Sequence, residues 1–244
     1  MRKESAEILG NLREMEKAGK LEGVFTDIPI EVYHAGPGVS STTLKKFYIS
    51  SRDNLDAFRF GNAFHTFINE PHLFDATYEV VSRTKGDSGK IGITFAEFEQ
   101  IKAMHDSLSN NPMAKGLLDG ASFELTFYKR DEETGILKKC RADIYKPGKI
   151  ADLKSTQSVS EYSFQSDCRR FLYRLSAGYY SEIIEEITGV AHDFSLIACE
   201  KSAPFATEVF QVAYQSIEKG RMEARAALRR MAGIADSDTK QIVI

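Results

Sequence analysis

The residues that could do chemistry are concentrated in one short ribbon, 138–155, whose largely apolar sequence carries Asp143, Asp152 and Lys154. A charge beside a sheet core costs free energy unless a partner compensates it. Side chains on a strand alternate between its two faces, so Asp152 and Lys154 share one face. Three charged groups in this setting indicate a candidate site.

The ribbon is predicted to be a hairpin that brings the two aspartates together. Lys-Pro-Gly-Lys at 146–149 is a turn signal, because Pro fixes φ and Gly accepts a positive φ. A four-residue loop pairs Tyr145 with Ile150, and the same register sets Asp143 opposite Asp152. Paired Cβ atoms lie roughly 5 Å apart, and like charges so placed repel each other. Either a positive group lies between the carboxylates or one of them is protonated.

A divalent metal ion is the simplest positive group for this position. Mg²⁺ is typically held by one or two carboxylates together with water and substrate phosphate. The Lys154 ammonium would hold a water molecule or a phosphate oxygen at the same place. The alternative is a surface hairpin with solvated charges and an ordinary ion pair, since Asp-x9–15-(Asp/Glu)-x-Lys patterns also occur by chance.

A helix predicted at 55–69 contributes a candidate metal ligand, His65. Gly61 and His65 are four residues apart and therefore lie on one helix face. Glycine inside a helix costs about 1 kcal/mol relative to alanine, and close approach to a neighbouring element is a reason to accept that cost. Imidazole is a common metal ligand. The alternative is a histidine packed among its neighbouring phenylalanines.

Other polar residues near the ribbon have structural interpretations. Glu124, on the preceding strand, is predicted to form an ion pair with Arg141 rather than to bind metal. Glu70 is predicted to cap or brace the loop that follows the 55–69 helix. Cys140 lies on the strand face opposite Asp143 and is assigned to the core.

The bulk composition is that of a globular protein. The chain has 244 residues, of which 42% are hydrophobic and 27% charged. Its net charge of −3 does not favour nucleic-acid binding but allows a local basic rim. No run of 18 apolar residues is present, the N-terminus is too charged for a signal peptide, and three cysteines do not show metal-ligand spacing. We expect a cytoplasmic protein with reduced thiols.

The pattern of apolar and turn residues predicts an α+β fold, with a central mixed β-sheet flanked by helices. The predicted domain organisation is a single domain over 1–244, with an N-terminal helical and loop extension over 1–35 and an uncertain tail at 236–244. Helices are predicted at 4–18, from the Ser40-Ser41-Thr42 cap through Phe47, 55–69, 94–109, from Pro112, 159–172, 173–188 and 216–232. Strands are predicted at 77–82, 122–129, 136–145, 149–155, 193–200 and 205–212.

Five blocks of sequence, taken in order, carry a resemblance to a known family. The chain resembles the RecE-type (exonuclease VIII) branch of the PD-(D/E)xK nuclease superfamily, in its phage and prophage form, over nearly its whole length. The blocks are Tyr33-His34 with Ser40-Ser41-Thr42-Thr43-Leu44, Gly61-x-x-x-His65 with Asn69-Glu70-Pro71-x-x-Phe74, Thr134-Gly135-x-x-x-Lys139-Cys140-Arg141-x-Asp143, Asp152-Leu153-Lys154-Ser155, and Glu200-Lys201-x-x-Pro204-Phe205.

The resemblance implies the PD-(D/E)xK nuclease fold and a role for each residue of the site. Asp143 and Asp152 would be the metal-ligating acids, and the backbone carbonyl of Leu153 would add a ligand. His65 would complete the metal shell. Lys154 would position and activate the attacking water.

Four further residues are candidates for contact with DNA. The family carries Gln-x-x-x-Tyr on the helix after the core lysine, where this chain has Ser176 and Tyr180. Either one contact to DNA or water is lost, or a neighbour such as Arg174 or Gln165 has taken it over; we favour the second. Arg83 and Lys85 are candidates for a basic rim, and the alternative for them is a solvated surface.

The resemblance implies a Mg²⁺-dependent exonuclease, with Mn²⁺ as a substitute, that degrades the 5′ strand of double-stranded DNA. The 3′ overhang would pass to a single-strand annealing protein for recombination, and the enzyme would form a closed homo-oligomeric ring in the cytoplasm of a bacterial host. One alternative is a structure-specific or restriction-type endonuclease of the same superfamily. Another is a DNA-binding protein whose catalytic site has decayed.

Overall fold

The chain folds into helices packed around a mixed sheet. The structure, a computed structural model, describes residues 3–48, 55–82 and 89–234, with the backbone alone at 55–58. Its ten helices in these ranges are α1 Lys3–Lys17, α2 Ile30–Ala35, α3 Ser41–Lys45, α4 Leu55–Asn69, α5 Pro71–Thr77, α6 Phe95–Asn110, α7 Pro112–Leu118, α8 Glu161–Arg170, α9 Tyr173–Thr188 and α10 Tyr214–Met231. The eight strands there are β1 Gly23–Phe25, β2 Tyr78–Val81, β3 Ile91–Thr94, β4 Ser122–Arg130, β5 Leu137–Lys146, β6 Lys149–Thr156, β7 Asp193–Glu200 and β8 Thr207–Gln211.

Six strands form the central sheet, in the order β1-β4-β5-β6-β7-β8. Within this sheet, among the described strands, β6 and β7 are the one parallel pair, and the chain between them forms α8 and α9, as a parallel connection requires. The other neighbouring strands are antiparallel. Strands β2 and β3 form a separate parallel pair. The predicted α+β class with a mixed sheet is confirmed.

Helices cover both faces of the sheet. Apolar side chains of α3, α8, α9 and α10 pack on one face, and those of α4, α5, α6 and α7 pack on the other. Each fully buried aliphatic or aromatic side chain stabilises the fold by about 1.5–3 kcal/mol. The two layers fix the sheet between them, so that residues at the end of a strand pairing are held by helices from both sides.

The N-terminal segment adds a third, smaller apolar cluster at the sheet edge. Strand β1 pairs with β4, and α1 and α2 bury Leu9, Leu12 and Val32 against Tyr128 and Leu137. The sequence did not predict β1 or α2. Both are short, and their formation depends on packing against the sheet.

Helix starts follow the capping residues in the sequence. Thr94 caps α6 in a capping box, in which its side chain accepts from the Glu97 backbone N–H and the Glu97 carboxylate accepts from the Thr94 N–H. Ser40 caps α3 by accepting from the Thr43 N–H. The predicted helix boundaries are therefore within one or two residues of the observed ones at these starts.

Helices α9 and α10 approach each other closely at two glycines. A Cβ added to Gly178 would collide with the backbone of Gly220 and Arg221, and a Cβ added to Gly220 would collide with the Arg174 carbonyl. Only residues without a side chain allow this contact. The two helices consequently form one packed layer behind the β5–β6 hairpin. In the part of the chain described, no helix has both the length and the apolar character needed to cross a lipid bilayer.

Candidate functional site

The β5–β6 hairpin holds the charged ribbon in the predicted register. Tyr145 pairs with Ile150, and Lys146 also pairs with Lys149, so the loop itself is two residues shorter than predicted. Gly148 in this loop has a φ of 82°, as a tight turn between antiparallel strands requires.

The pairing of β5 with β6 ends before it reaches the aspartates. The last paired residues are Ile144 and Ala151, and the Asp143 carboxylate then accepts the Leu153 backbone N–H at 2.8 Å in place of a strand carbonyl. The N–H and C=O of one strand residue point to the same edge. We therefore infer that the Leu153 carbonyl also faces the gap between the two strands.

The alternation of faces on β4 and β5 also slips at this point. Phe123 and Ile144 pack with the α4 layer, whereas Leu125 and Ala142, two residues away, pack with the α9 layer. Glu124 lies between them on β4 with a φ of 54°, a left-handed conformation that costs a non-glycine residue about 1–3 kcal/mol and that is concentrated at functional sites. The backbone is distorted where the charged side chains meet.

The Asp143 and Asp152 carboxylates interact directly, and their pKa values shift in opposite directions. Burial, the Asp152 carboxylate and the Glu124 carboxylate raise the pKa of Asp143 well above its usual value. Burial also acts to raise the pKa of Asp152, but the Lys154 ammonium more than compensates and lowers it. The raised pKa of Asp143 reflects two neighbouring acids in a buried place, where a bound cation would favour the ionised form of both.

Lys154 is anchored on the same strand as its partner. Its Nζ lies 2.7 Å from Asp152 Oδ2 and 5.2 Å from the centroid of the Tyr173 ring, which α9 presents at its first residue. Burial acts to lower the pKa of Lys154, but the Asp152 and Asp143 carboxylates raise it above its usual value. Lys154 is therefore a permanent positive charge at the site.

His65 lies on α4 and approaches the site from the sheet face that α4 covers. Its Nδ1 lies 3.4 Å from Asp143 Oδ2 and its side chain is 26% exposed, whereas the adjacent Phe64 is fully buried. Burial and the Lys154 ammonium lower the pKa of His65, which keeps the imidazole neutral as a metal ligand must be. The reason expected for Gly61 is not supported, since an added Cβ would meet Ser155 Oγ at an ordinary 3.9 Å.

Glu124 is a candidate ligand that the sequence interpretation assigned only to an ion pair. The ion pair is present, because Arg141 Nε donates to Glu124 Oε2 at 2.6 Å, and Asn69 donates to Oε1 at 2.6 Å. Ligand atoms of His65, Glu124 and Asp143 nevertheless lie within 4.8 Å of one another, a grouping able to hold a metal ion. Its left-handed backbone, which the sequence does not reveal, turns it toward the cluster.

Arg141 holds the acids around the site in place. It donates to Glu124, to Glu70 Oε2 at 3.0 Å and to the Ile28 carbonyl. Glu70 occupies the position before α5 without a capping hydrogen bond. Its predicted bracing role is therefore carried by the contact with Arg141.

The two candidate DNA contacts on α9 occupy different environments. Ser176 is only 6% exposed, and its hydroxyl lies 3.4 Å from the Ser41 hydroxyl on α3. Tyr180 is partly exposed and packs edge-on to Phe194. Burial, followed by Tyr33 and Asp152, raises the pKa of Tyr180, which places its ring near the acids. Ser176 thus faces the α3 helix, while Tyr180 faces the site.

The remaining candidate DNA contacts, Arg83 and Lys85, lie outside the described residues. The proposed substitutes for the missing glutamine are engaged elsewhere, since Arg174 pairs with Glu223 and Gln165 donates to Glu161. The sequence interpretation did not include Tyr173, which lies next to Lys154. Their spacing in the sequence does not predict this contact, because the packing of α9 brings the Tyr173 ring to Lys154 on β6.

Comparisons with known proteins identify a matching family and crystal structures with a similar fold. Residues 43–241 match the family described as a PDDEXK-like domain of unknown function (DUF3799). The crystal structure of a candidate exonuclease from Eubacterium rectale superposes with a TM-score of 0.64 at 16% identity, covering 87% of this chain and 89% of that one. A phage-related exonuclease from Haemophilus somnus gives a TM-score of 0.39 at 12% identity, with 81% and 94% covered. No curated protein matches the sequence.

Proposed function

The chain belongs to the PDDEXK-like family, and from this premise we propose that it is a metal-dependent nuclease that hydrolyses phosphodiester bonds in double-stranded DNA. The observation that carries the proposal is the meeting of Asp143, Asp152, Lys154 and His65 where the β5–β6 pairing ends. A decayed site would have no reason to keep two interacting carboxylates at this cost.

The donor set fits a hard divalent cation. Asp143, Asp152, the Leu153 carbonyl and His65 would hold it, and Glu124 is close enough to His65 and Asp143 to take part. Oxygen ligands with at most one imidazole suit Mg²⁺ and Mn²⁺. Burial and the neighbouring Asp152 and Glu124 carboxylates, which raise the pKa of Asp143, favour a positive charge at this place.

A bound metal ion would polarise the scissile phosphate, lower the pKa of an attacking water and neutralise charge on the leaving oxygen. The chain supplies the remaining requirements. Asp152 fixes Lys154 so that its ammonium can orient a water molecule or a phosphate oxygen. Arg141 and Asn69 hold the Glu124 carboxylate by hydrogen bonds beside the cluster. Phosphodiester hydrolysis needs positioning and charge neutralisation more than a covalent intermediate.

Several finer features follow from the RecE-type resemblance and are proposed with it. The enzyme would be an exonuclease that degrades the 5′ strand and leaves a 3′ overhang. It would act as a closed homo-oligomeric ring in the bacterial cytoplasm and pass the overhang to a single-strand annealing protein. The Eubacterium rectale structure is described as a candidate exonuclease, which supports the choice of exonuclease over endonuclease.

The metal requirement and the substrate can be tested in one assay. We expect linear duplex to be degraded with Mg²⁺ or Mn²⁺, while Ca²⁺ binds without supporting turnover and excess EDTA stops the reaction. Covalently closed circular duplex of the same sequence is the matched control for an exonuclease. Cleavage of the closed circle would favour the endonuclease alternative, and hydrolysis in excess EDTA would refute the metal site.

The polarity and the assembly need separate measurements. Duplexes labelled at either the 5′ or the 3′ end, and blocked with phosphorothioates at the other, report which strand is degraded. Light scattering coupled to size-exclusion chromatography reports the number of subunits. Degradation from 3′ ends, or a monomer that is fully active, would remove the corresponding part of the proposal without affecting the nuclease assignment.

A further inference from the structure

A second lysine lies close to the site and has no role in the metal chemistry. Lys45 is the last residue of α3, and its Nζ lies 5.6 Å from the centroid of the Tyr173 ring. Lys154 Nζ lies 5.2 Å from the centroid of the same ring. Both ammonium groups lie beside the same aromatic ring. They therefore concentrate positive charge at the rim of the site.

The two lysines differ in how their charge is balanced. Lys154 is paired with the Asp152 carboxylate. Among the described residues, none offers Lys45 a carboxylate within ion-pair distance, and its contact is the face of Tyr173. Burial and then the Lys154 ammonium lower the pKa of Lys45 to about 8, with Asp152 opposing them. A partly buried cation beside another cation gains free energy when an anion binds next to it.

The position of Lys45 is fixed by the fold. Leu44, its neighbour, is fully buried against the α9 layer, and Ser40 caps the helix that carries both. The Ser41 hydroxyl, one helical turn earlier, lies against Ser176 on α9. The ammonium of Lys45 is thus held at the junction of α3 and α9, near the start of the helix that presents Tyr173.

We propose that Lys45 binds a backbone phosphate of the DNA next to the scissile phosphate, with Tyr173 as the platform that sets its position. The inference rests on the proposed nuclease function and adds a substrate contact to it. An ammonium is a compact phosphate binder, and phosphate contacts fix the register of a protein on the duplex. The Lys45 phosphate contact would therefore determine which phosphodiester bond enters the metal site.

The test combines charge removal in the protein with charge removal in the DNA. Lys45→Met keeps the aliphatic stem, Lys45→Arg keeps the charge, and Lys46→Met is the matched control at an exposed neighbour. Duplexes carry a single uncharged methylphosphonate at successive positions near one end. Equilibrium binding is measured in Ca²⁺ by fluorescence anisotropy, and single-turnover cleavage is measured in Mg²⁺.

We expect Lys45→Met to weaken binding or slow cleavage by about tenfold to a hundredfold, as for loss of one charge-assisted hydrogen bond. Lys45→Arg should recover most of that loss, and Lys46→Met should show little. One methylphosphonate position should impair the wild type by a similar factor but cause no further loss in Lys45→Met. This non-additivity is a readout that a purely structural role of Lys45 would not produce.

Two results would overturn the phosphate contact. One is a Lys45→Met variant that behaves like Lys46→Met in both assays, and the other is a methylphosphonate effect that adds fully to the Lys45→Met loss at every position. A wild type that binds duplex in Ca²⁺ but never cleaves it would refute the nuclease and leave the binding test to decide on Lys45. A wild type that does not bind duplex would refute both.

Discussion

Lys138 and Lys154 both lie on the central sheet beside carboxylates, Lys138 fully and Lys154 partly buried, but the surroundings of their charges differ. Lys138 Nζ lies 2.8 Å from Glu186, 3.5 Å from Asp131 and 3.6 Å from Glu182, in the intact β4–β5 pairing. Lys154 has one carboxylate partner, at the point where the β5–β6 pairing has ended. The acid that remains, Asp143, meets Asp152 instead of a cation of its own.

This difference distinguishes a charge cluster that stabilises the fold from one that could take part in catalysis. Around Lys138 the acids surround the cation, and its removal would leave Asp131 and Glu186 without this ammonium, while Glu182 keeps its contact with Arg225. At the hairpin, two neighbouring acids lie beside one ammonium, so an added cation improves the local charge balance. A buried lysine alone therefore does not mark a site; interacting carboxylates at a broken strand pairing do.

The largest expected effect is the loss of activity on removal of an acid from the hairpin. Asp152→Ala and Asp143→Ala should each lower the cleavage rate by about a thousandfold or more, because metal charge stabilisation is worth several kcal/mol. The free energy of unfolding without metal should hold or rise, since the carboxylates no longer repel each other. Single-turnover cleavage and urea unfolding measure the two quantities.

The matched control for these variants is Glu186→Gln in the Lys138 cluster. It removes one acid of a buried group without touching the hairpin, and its cleavage rate should stay near that of the wild type. Near-normal nuclease activity in either purified aspartate variant would falsify the assigned site.

Lys138→Met should have the opposite profile. Loss of the buried cation that contacts all three carboxylates should lower the free energy of unfolding by about 3–5 kcal/mol, as in other broken buried pairs, although Glu182 keeps its contact with Arg225. The cleavage rate per folded molecule should be unchanged. Lys102→Met, in an exposed pair with Glu99, is the control and should cost no more than about 1 kcal/mol. Equal stability of the two variants in urea would contradict the contrast between the clusters.

His65→Ala tests whether the histidine belongs to the chemical cluster. We expect the Mg²⁺ concentration for half-maximal rate to rise by at least about tenfold, since even residues that only support metal ligands affect metal affinity by that factor. The fold should persist, because the side chain is partly exposed. The measurement is the cleavage rate as a function of Mg²⁺ concentration. A variant that aggregates but keeps its rate per folded molecule would support the packed-histidine alternative.

Ser176→Gln should have the smallest effect of these substitutions. Packing should decide whether it raises or lowers the stability of the fold. The longer side chain must enter the buried contact between α9 and α3, and overpacking costs about 1–3 kcal/mol. The cleavage rate should not rise, because position 176 is buried against Ser41 on α3. Ser176→Ala is the control, and thermal unfolding with single-turnover rates compares the two. A large gain in rate from a nearly inactive wild type would indicate a degraded nuclease.

Much of the fold follows from local patterns in the sequence. The helix at 55–69 and the strand at 193–200 have the boundaries predicted from periodicity, and the 138–155 hairpin has the register predicted from its turn. The elements that were missed are short: β1, α2, α5 and β3. Their residues make few contacts within the element, so the packing of distant segments decides whether they form.

The site was predictable where it depends on strand alternation and not where the backbone departs from it. The shared face of Asp152 and Lys154 follows from a period of two. The role open to Glu124 depends on its left-handed φ, which is unusual for a residue with a side chain and has no signature in the sequence. The shared contact of Lys45 and Lys154 with Tyr173 joins three separate elements and required the tertiary structure.

The glycine contact between α9 and α10 limits how this protein can diverge over evolutionary time. Any side chain at Gly178 or Gly220 would push the two helices apart, and α9 carries Tyr173 and Tyr180 toward the acids. A change in the position of α10 would therefore shift α9 and the side chains that α9 places beside the site. We expect the two helices to vary as a pair at their contact, and sequence change in this layer to accumulate on the outer surface of α10.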